Sequence, residues 1–582
     1  MGRQLVTSFL DRIQAMADKE QARKNLAEWI CKHTKIDGRK FSFKDHECHI
    51  DVCSDTHPSK NIRKCSQVGL SELSVRMTLG IAATSRTRII YTLMTDTFAQ
   101  KFSTDRVQPV INDSPMLSGM THADAKGSQF KKLGNTSVYF LGTFGTKTSI
   151  SHPCGHLIHD ELDFSNQDVI GTYQSRLRHA KEDPETHLKG HTTRFSTPTL
   201  EKFGISDLFD KSDQRYYMVN CEHCGHTFSP SYYRDLVIPG YSGSMEEFDK
   251  DQLHNPKHKV GETYIKCEKC GKDLWSSLMN PDRREWVAKY PSVTMERGYQ
   301  ISPWDVPAHN SCPSIVMQID KYPYSDYINF VIGLPYSSKE NSFLQDIFDN
   351  YEKSKPMTKE SALVTSMSGV VMGLDIGKTA WLTIGVPQEN RVHLVAAVQI
   401  KAKVGNALAS QLQSYIDAFK PVCVVIDAAP DFTTAHAAVE NNGYGIVYGC
   451  EYTKTIPNAF SNIAAKPEES IVKAARTPTL QSLMNSHNGN RIIYPPNDYG
   501  EMETIKEHLD NVKKIKRPGD MGPVEAFINT GPDHYCHSLN YMMIAHDIAN
   551  DPNTIYSGVV GVLPSVNSVT VGKNAKQDIK HR

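Results

Sequence analysis

The sequence predicts an α/β chain in two halves, with a small polar module set into the first. Three observations predict it. Over residues 40–205, apolar runs of strand length alternate with stretches of helical periodicity, the pattern of a mostly parallel sheet covered by helices. Over 369–548 a second alternation begins with three consecutive strands and continues with a helix and a further strand. Between them, 207–290 is polar, rich in His and Lys, and holds two Cys-x-x-Cys pairs.

Composition narrows the classes. A length of 582 residues is that of two to four domains. A hydrophobic fraction of 39% with 22% charged residues is ordinary globular composition. No apolar run reaches the roughly 18 residues that cross a membrane. The start, MGRQLVTSFLDRIQAMADKE, is helix-like and lacks the apolar core and cleavage site of a signal peptide. Arg3 follows Met1-Gly2 and the Ser/Thr of a myristoylation signal is missing, so a cytosolic chain is expected. The 65 basic and 65 acidic residues balance, which argues against a protein that coats DNA statically and permits a local basic channel. Thirteen cysteines in such a chain are expected to be buried thiols, with metal ligands as the exception.

Taken in order, residues 1–36 read as two amphipathic helices, with Leu5, Phe9, Ile13 and Met16 on one stripe and Leu26, Trp29 and Ile30 on the next. Such stripes belong to a packed hairpin or to a docking arm for a partner subunit. Strands are expected at 88–94, 137–142 and 155–159. Residues 63–71 form a loop before a helix over 72–81. After 291–340 the charged, then Ser/Thr/Met-rich stretch 341–368 reads as a linker. The second half has strands at 370–374, 381–386 and 392–400, a helix at 405–419, a strand at 422–427 and later helices. The basic tail 551–582 reads as disordered. The predicted domains are thus 1–40 (helical), 41–340 with an insert at about 215–275, the linker 341–368, then 369–550 and the tail.

The first half carries a candidate phosphate site. A strict phosphate loop reads GxxxxGK[ST]. The segment RKCSQVGLS keeps Gly69 and Ser71, has Leu70 where the lysine belongs, and carries Lys64 early instead. By itself it reads more readily as a surface loop before a helix. It gains meaning from HLIHDE, residues 156–161, an apolar strand ending in Asp160 and Glu161. In that pairing Asp160 holds magnesium, through water or with the Ser71 hydroxyl, and Glu161 polarises the attacking water. The competing reading is an exposed Asp-Glu at a helix start.

The pairs Cys221/Cys224 and Cys267/Cys270, each followed by glycine, are the strongest local signal. Random placement of 13 cysteines gives about 0.3 such pairs per chain. Four thiolates suit one tetrahedral zinc and leave no open position, so a structural role is expected. His223 and His226 are read as bystanders.

In the second half, GVVMGLDIGKTA (369–380) and VCVVID (422–427) are apolar runs that end in Asp375 and Asp427, and Asp533 opens the helix-like DHYCHSLNYMMIAHDIA. Two carboxylates at strand ends and one at a helix start can hold two divalent cations around a phosphodiester. DIGKT also resembles the phosphate-binding turn of actin-like and Hsp70-like ATPases. Asp427 and Asp533, with no glycine-rich loop, favour the nuclease version. Asp431 and His537 are second-line candidates; His537, four residues after Asp533, shares its helix face.

With these residues assembled, the chain resembles the large terminase subunits of tailed bacteriophages, closest to their lambda-like branch, over most of residues 25–550. The resemblance rests on a deviant phosphate loop with an early lysine (Lys64, with Gln67, Gly69 and Ser71 for nucleotide), on Asp160-Glu161, and on FSTPT with Ser196, Thr197 and Pro198, which is similar to a motif coupling hydrolysis to movement. It rests also on the zinc-knuckle run DQRYYMVNCEHCGH…YIKCEKCG and on Asp375, Asp427 and Asp533 as a nuclease triad. Glu72 departs from a lysine found there in some relatives. The resemblance implies a P-loop ATPase domain of the ASCE type with a zinc-knuckle insert, followed by a ribonuclease-H-like nuclease domain. It implies an ATPase and metal-dependent endonuclease using ATP, Mg²⁺ or Mn²⁺, and Zn²⁺, with Glu161, Asp375, Asp427 and Asp533 catalytic. The implied partners are double-stranded DNA, a portal protein on a procapsid, a small terminase subunit and further copies in a ring, with no membrane. Such a chain would work in the host bacterial cytoplasm and, transiently, on the portal. Arg106 and Arg176 are candidates for an arginine finger. The alternative is a helicase-like remodelling ATPase whose second domain does not cut.

Overall fold

The computed structural model describes residues 25–85, 87–121, 129–144, 152–338, 341–350, 369–429, 432–454, 462–519 and 522–550. The stripe at Leu5, Phe9, Ile13 and Met16, most of the expected linker, Asp431 and the tail 551–582 lie outside them. The chain divides into two compact units, one made of Met1–Ser342 with Lys513–Thr530, the other of Phe343–Val512 with Gly531–Arg582.

In the first unit, helix α1 (Leu26–His33) starts at Asn25, whose side chain accepts from the Glu28 amide, and carries Lys32 and His33 in its last turn, charges that suit the helix dipole. It buries Ala27, Trp29 and Ile30, so the second predicted stripe is core. The central elements are β1 (Ser59–Lys64), α2 (Leu70–Thr84), β2 (Ile89–Leu93), β3 (Thr136–Gly142), β4 (His156–Asp160), β5 (His191–Ser196), β6 (Arg215–Asn220) and β7 (Arg297–Ile301). They lie in a ten-stranded sheet whose central order is β6-β7-β1-β5-β4-β2-β3. Every neighbouring pair in that run is parallel. Strand β5 therefore lies between β1 and β4, and the residues that follow β1 and β4 meet at the same sheet edge.

Strand β1, SKNIRK, is buried at all six positions although only Ile62 is apolar. Its polar groups are satisfied by partners both near and distant in sequence. The Lys60 ammonium donates to the carbonyls of Val52 (3.2 Å) and Asp55 (2.8 Å), Asn61 donates to Glu296 (2.8 Å), and Arg63 donates to Gln300. Helix α2 begins at Leu70, two residues before the expected start, because Gly69 at φ 77° makes the turn.

The second unit holds an eight-stranded sheet. Strands β8 (Val371–Ile376), β9 (Ala380–Gln388) and β10 (Arg391–Ile400) form an antiparallel meander. After helix α3 (Asn406–Phe419), strands β11 (Cys423–Asp427) and β12 (Val447–Thr453) add on the other side of β8, parallel to it. The hairpin β13 (Val512–Gly519) and β14 (Gly522–Asn529) precedes helix α4 (His534–Asn550). Helix α4 lies directly on β8 at Gly373, where a Cβ would stand 2.1 Å from the Ser538 carbonyl oxygen and 2.2 Å from the Met542 amide. The hairpin, which the sequence places inside the second half, clusters with the first unit. Its Ile515 and Ile528 bury with Leu200 and Phe203.

Candidate functional sites

The turn between β1 and α2 is fixed at both ends. The Cys65 amide donates to Ile301 (3.0 Å) and the Ser66 amide to Phe330 (2.7 Å). The buried His49 ring lies 2.6 Å from the Val68 carbonyl oxygen, so that nitrogen carries the proton and donates. Gln67 and Gly69 both take positive φ, 61° and 77°. The amides at the start of α2 have no intrahelical acceptor and point with the positive end of the helix dipole into a cavity of about 600 Å³ lined by Lys64, Gln67, Gly69, Ser71, Arg106 and Glu161 among others.

Lys64, the last residue of β1, is 5% exposed and reaches across to Glu161, Nζ to Oε1 3.0 Å. Burial pulls its ammonium down, yet Glu161 and Asp160 hold it above its ordinary value. Glu161 follows β4 in the left-handed region at φ 51°. Its other oxygen faces the end of β5, with Ser196 Oγ at 3.3 Å, the Thr197 amide at 3.4 Å and Thr197 Oγ1 at 3.5 Å. Asp160 is buried; Tyr91 donates to its Oδ2 at 2.7 Å, while Oδ1 has no partner. Burial and then Glu161 push the carboxyl up to about 7. A buried, unpartnered carboxylate oxygen beside a second carboxylate is what a divalent cation satisfies. Arg106 sits at the rim, 3.9 Å from Glu72. Arg176 is not among the residues lining this cavity.

Four cysteines converge in the insert. Cys221 Sγ and Cys270 Sγ are 3.8 Å apart, Cys224 Sγ and Cys267 Sγ 3.7 Å, and all four lie within 4.8 Å of one another. The edge of a tetrahedron with Zn–S of 2.3 Å is about 3.8 Å. The two halves repeat one geometry. The Gly225 and Gly271 amides each donate to the first cysteine's carbonyl at 2.8 Å, and both glycines take positive φ, 68° and 71°. His226 pairs with Glu268 at 2.8 Å and is not a member of the cysteine cluster.

In the second unit, Asp375 on β8 and Asp427 at the end of β11 sit on adjacent parallel strands, one step beyond the paired Leu374 and Ile426. Asp533 caps α4, its carbonyl accepting from the Cys536 amide at 2.9 Å. Burial and then the Asp375 charge push Asp427 up to about 6. Burial also raises Asp533, but the hydrogen bond and charge of His537 outweigh it and hold that carboxyl below its ordinary value. His537 Nε2 lies 3.2 Å from Asp533, and its Nδ1 lies 3.2 Å from the Tyr452 hydroxyl. The three aspartates do not bring their oxygens as close together as the cysteine sulfurs; the cysteine cluster is the one such group among the described residues.

Two side chains at these sites were not legible in the sequence. Tyr91, in the middle of an apolar strand, gives no local signal. His534, which follows Asp533, is one of 24 histidines, and only the fold brings it 2.8 Å from Asp375.

Residues 49–283 match the family model of the ATPase domain of the phage terminase large subunit gpA. Among solved structures, the chain is similar to the large terminase of bacteriophage HK97, with 10% identity over 89% of this chain and 98% of that one and a TM-score of 0.48. It is similar to the large terminase of a thermophilic bacteriophage, with 9% identity over 88% of this chain and 99% of that one and a TM-score of 0.29. Residues amounting to 30% of the chain are similar to 81% of the large terminase nuclease from another thermophilic phage, G20c, with 16% identity and a TM-score of 0.21. No curated protein matches the chain.

Proposed function

We propose, from the premise that the chain belongs through residues 49–283 to the phage terminase large subunits, that it drives double-stranded DNA into a procapsid with ATP and cuts concatemeric DNA with its second unit. The observation that carries this reading is the constellation after β1 and β4: Lys64 paired with Glu161, and Asp160 with one oxygen free. The placement of β5 between those two strands supports the ASCE type of P-loop domain. The order β12-β11-β8-β9-β10, with its antiparallel meander, supports a ribonuclease-H-like second domain.

Magnesium bound with ATP neutralises charge on the phosphate oxygens. Asp160, whose Oδ1 has no partner, would hold it together with the Ser71 hydroxyl. The α2 amides and Lys64 bind the phosphates. An ammonium has three donors, so Lys64 can keep Glu161 while it reaches phosphate, in place of the lysine missing at Leu70. Glu161 orients water and accepts its proton. Because the same carboxylate faces Ser196 and Thr197, release of that contact during hydrolysis would be felt first at the end of β5, the coupling segment.

In the second unit, Asp375, Asp427 and Asp533 would hold Mg²⁺ or Mn²⁺ for attack on a phosphodiester. The raised carboxyl of Asp427 beside Asp375 fits a site that gains from a cation. Cys221, Cys224, Cys267 and Cys270 would hold a structural zinc. Double-stranded DNA, the portal, a small subunit and a ring of copies complete the proposal.

Nucleotide affinity and steady-state ATP turnover of two variants test the motor site. Glu161→Gln keeps the shape and removes the base, so it binds ATP and fails to hydrolyse it. Lys64→Ala weakens binding and turnover together. Parent-like turnover by Lys64→Ala would show that another residue supplies the cation.

A further inference from the structure

Asp375 and Trp381 are directly opposite each other on the antiparallel pair β8 and β9, so their side chains share a face of the sheet. The His534 ring lies flat on the Trp381 ring, centroids 5.3 Å apart and 7° between planes. From that position its Nδ1 is 2.8 Å from Asp375 Oδ2; a carboxylate only accepts, so the imidazole donates. The indole is boxed on its other sides by His508 at 5.0 Å and Tyr535 at 4.9 Å. His508 is itself fixed, its Nδ1 accepting from the Tyr535 amide at 3.1 Å. Gly377, in the turn after β8, leaves room for the imidazole: a Cβ there would come within 3.3 Å of its Cε1. No hydrogen bond reaches Asp375 Oδ1 from the described residues.

We propose that His534 is a positioning residue for the cutting reaction, holding one oxygen of Asp375 so that the other is presented to a divalent cation. The proposal rests on the reading of Asp375 as a metal ligand. A free carboxylate rotates about its last bond and offers either oxygen. Hydrogen-bonded on one side by a ring that is clamped by stacking, Asp375 is held in a single orientation before the cation arrives, as outer partners orient the ligands of other metal sites. Asp533 is treated similarly by His537, one helical turn along, so two of the three carboxylates carry an imidazole partner from the same helix. Trp381 enters as the surface that fixes the ring.

The test is Mn²⁺ binding to the full-length protein without DNA, read from the electron paramagnetic resonance signal of the free ion. The variants are Asp375→Asn, His534→Ala and His534→Asn, with circular dichroism and the thermal unfolding midpoint of each as the check on folding. Removing an outer partner of this kind typically costs about 10–100-fold in metal affinity. His534→Ala should therefore lose affinity in that range for the ions that Asp375→Asn fails to bind. His534→Asn, whose amide can donate from nearly the same place, should recover most of it. If His534→Ala binds Mn²⁺ like the parent while Asp375→Asn does not, the positioning role is overturned and the metal reading stands. If Asp375→Asn also binds like the parent, the metal reading fails and takes the proposal with it. Equal losses in His534→Ala and His534→Asn would likewise overturn it, since the donor would then not be what matters.

Discussion

At the scale of single residues, the proposed nucleotide site depends on groups whose charge is set by burial. His49 holds the Val68 carbonyl of the turn between β1 and α2 from a buried position. Its pKa is lowered to about 4 by burial first, with His46 adding to the shift and the Val68 hydrogen bond opposing it. The folded value lies below the ordinary 6.5, so between these values the unfolded chain binds the extra proton. Stability from this residue is present above pH 6.5 and is lost as pH falls toward 4, by up to about 3 kcal/mol. His156 and His159, both lowered to about 3 by burial, act with the same sign. Thermal melts from pH 7.5 down to pH 4.5 should show a falling midpoint, and His49→Gln, which cannot titrate, should flatten part of that slope. A slope identical to the parent's would remove His49 from this account. Asp160 and Glu161 are legible in the sequence as carboxylates at a strand end; Lys64 is legible only as a lysine early in a loop, whereas it is the last residue of β1. Their mutual contacts and the Tyr91 hydroxyl are not legible, because they arise between segments distant in sequence.

At the scale of elements, apolar runs were readable and polar ones were not. The expected strands at 88–94, 137–142 and 155–159 correspond to β2, β3 and β4 within a residue or so. Strand β1 gives no strand signal, because its burial is made possible by partners such as Asp55, Glu296 and Glu161 that lie elsewhere in the chain. Strand β5, HTTRFS, is polar for a similar reason, with Arg194 bonded to Ser59 and Asn61 at 3.0 Å each. Each cysteine pair, by contrast, carries its turn geometry locally, and the spacing makes the pairs legible in the sequence, although the cluster itself joins knuckles distant along the chain. Cys221→Ser should therefore empty the site, since structural zinc contributes about 10–16 kcal/mol to such modules. Metal analysis by mass spectrometry should give one zinc per parent chain and near none in the variant, with the insert becoming protease-sensitive. Intact folding of the parent in strong chelator, with no zinc found, would contradict a structural metal. Helix α4 supplies a second test. Gly373→Ala would drive a methyl group into the helix backbone, and overpacking of this kind costs about 1–3 kcal/mol. The expected result is a lower unfolding midpoint with a larger loss of cutting, because Asp533 and His534 ride on that helix; an unchanged protein would mean the helix can shift freely.

At the scale of the whole molecule, the chain divides into two α/β units, and both are visible in the sequence as alternating patterns with an acidic residue where a strand ends. The sequence places the hairpin β13–β14 in the second half by chain position alone, because its packing with Leu200 and Phe203 in the first unit depends on four apolar residues in three segments. No helix among the described residues is long and apolar enough to cross a membrane. In the proposed function, one chain moves DNA with the first unit and cuts it with the second. The measurement that tests it most directly is nuclease-protected packaging, scored beside cleavage of concatemers, with procapsids and small subunit present. Asp375→Ala should package linear DNA that is already cut and leave concatemers intact. Glu161→Gln should cut in the presence of Mn²⁺ and package nothing. Packaging by Glu161→Gln, or cleavage by Asp375→Ala at the parent's rate, would contradict it.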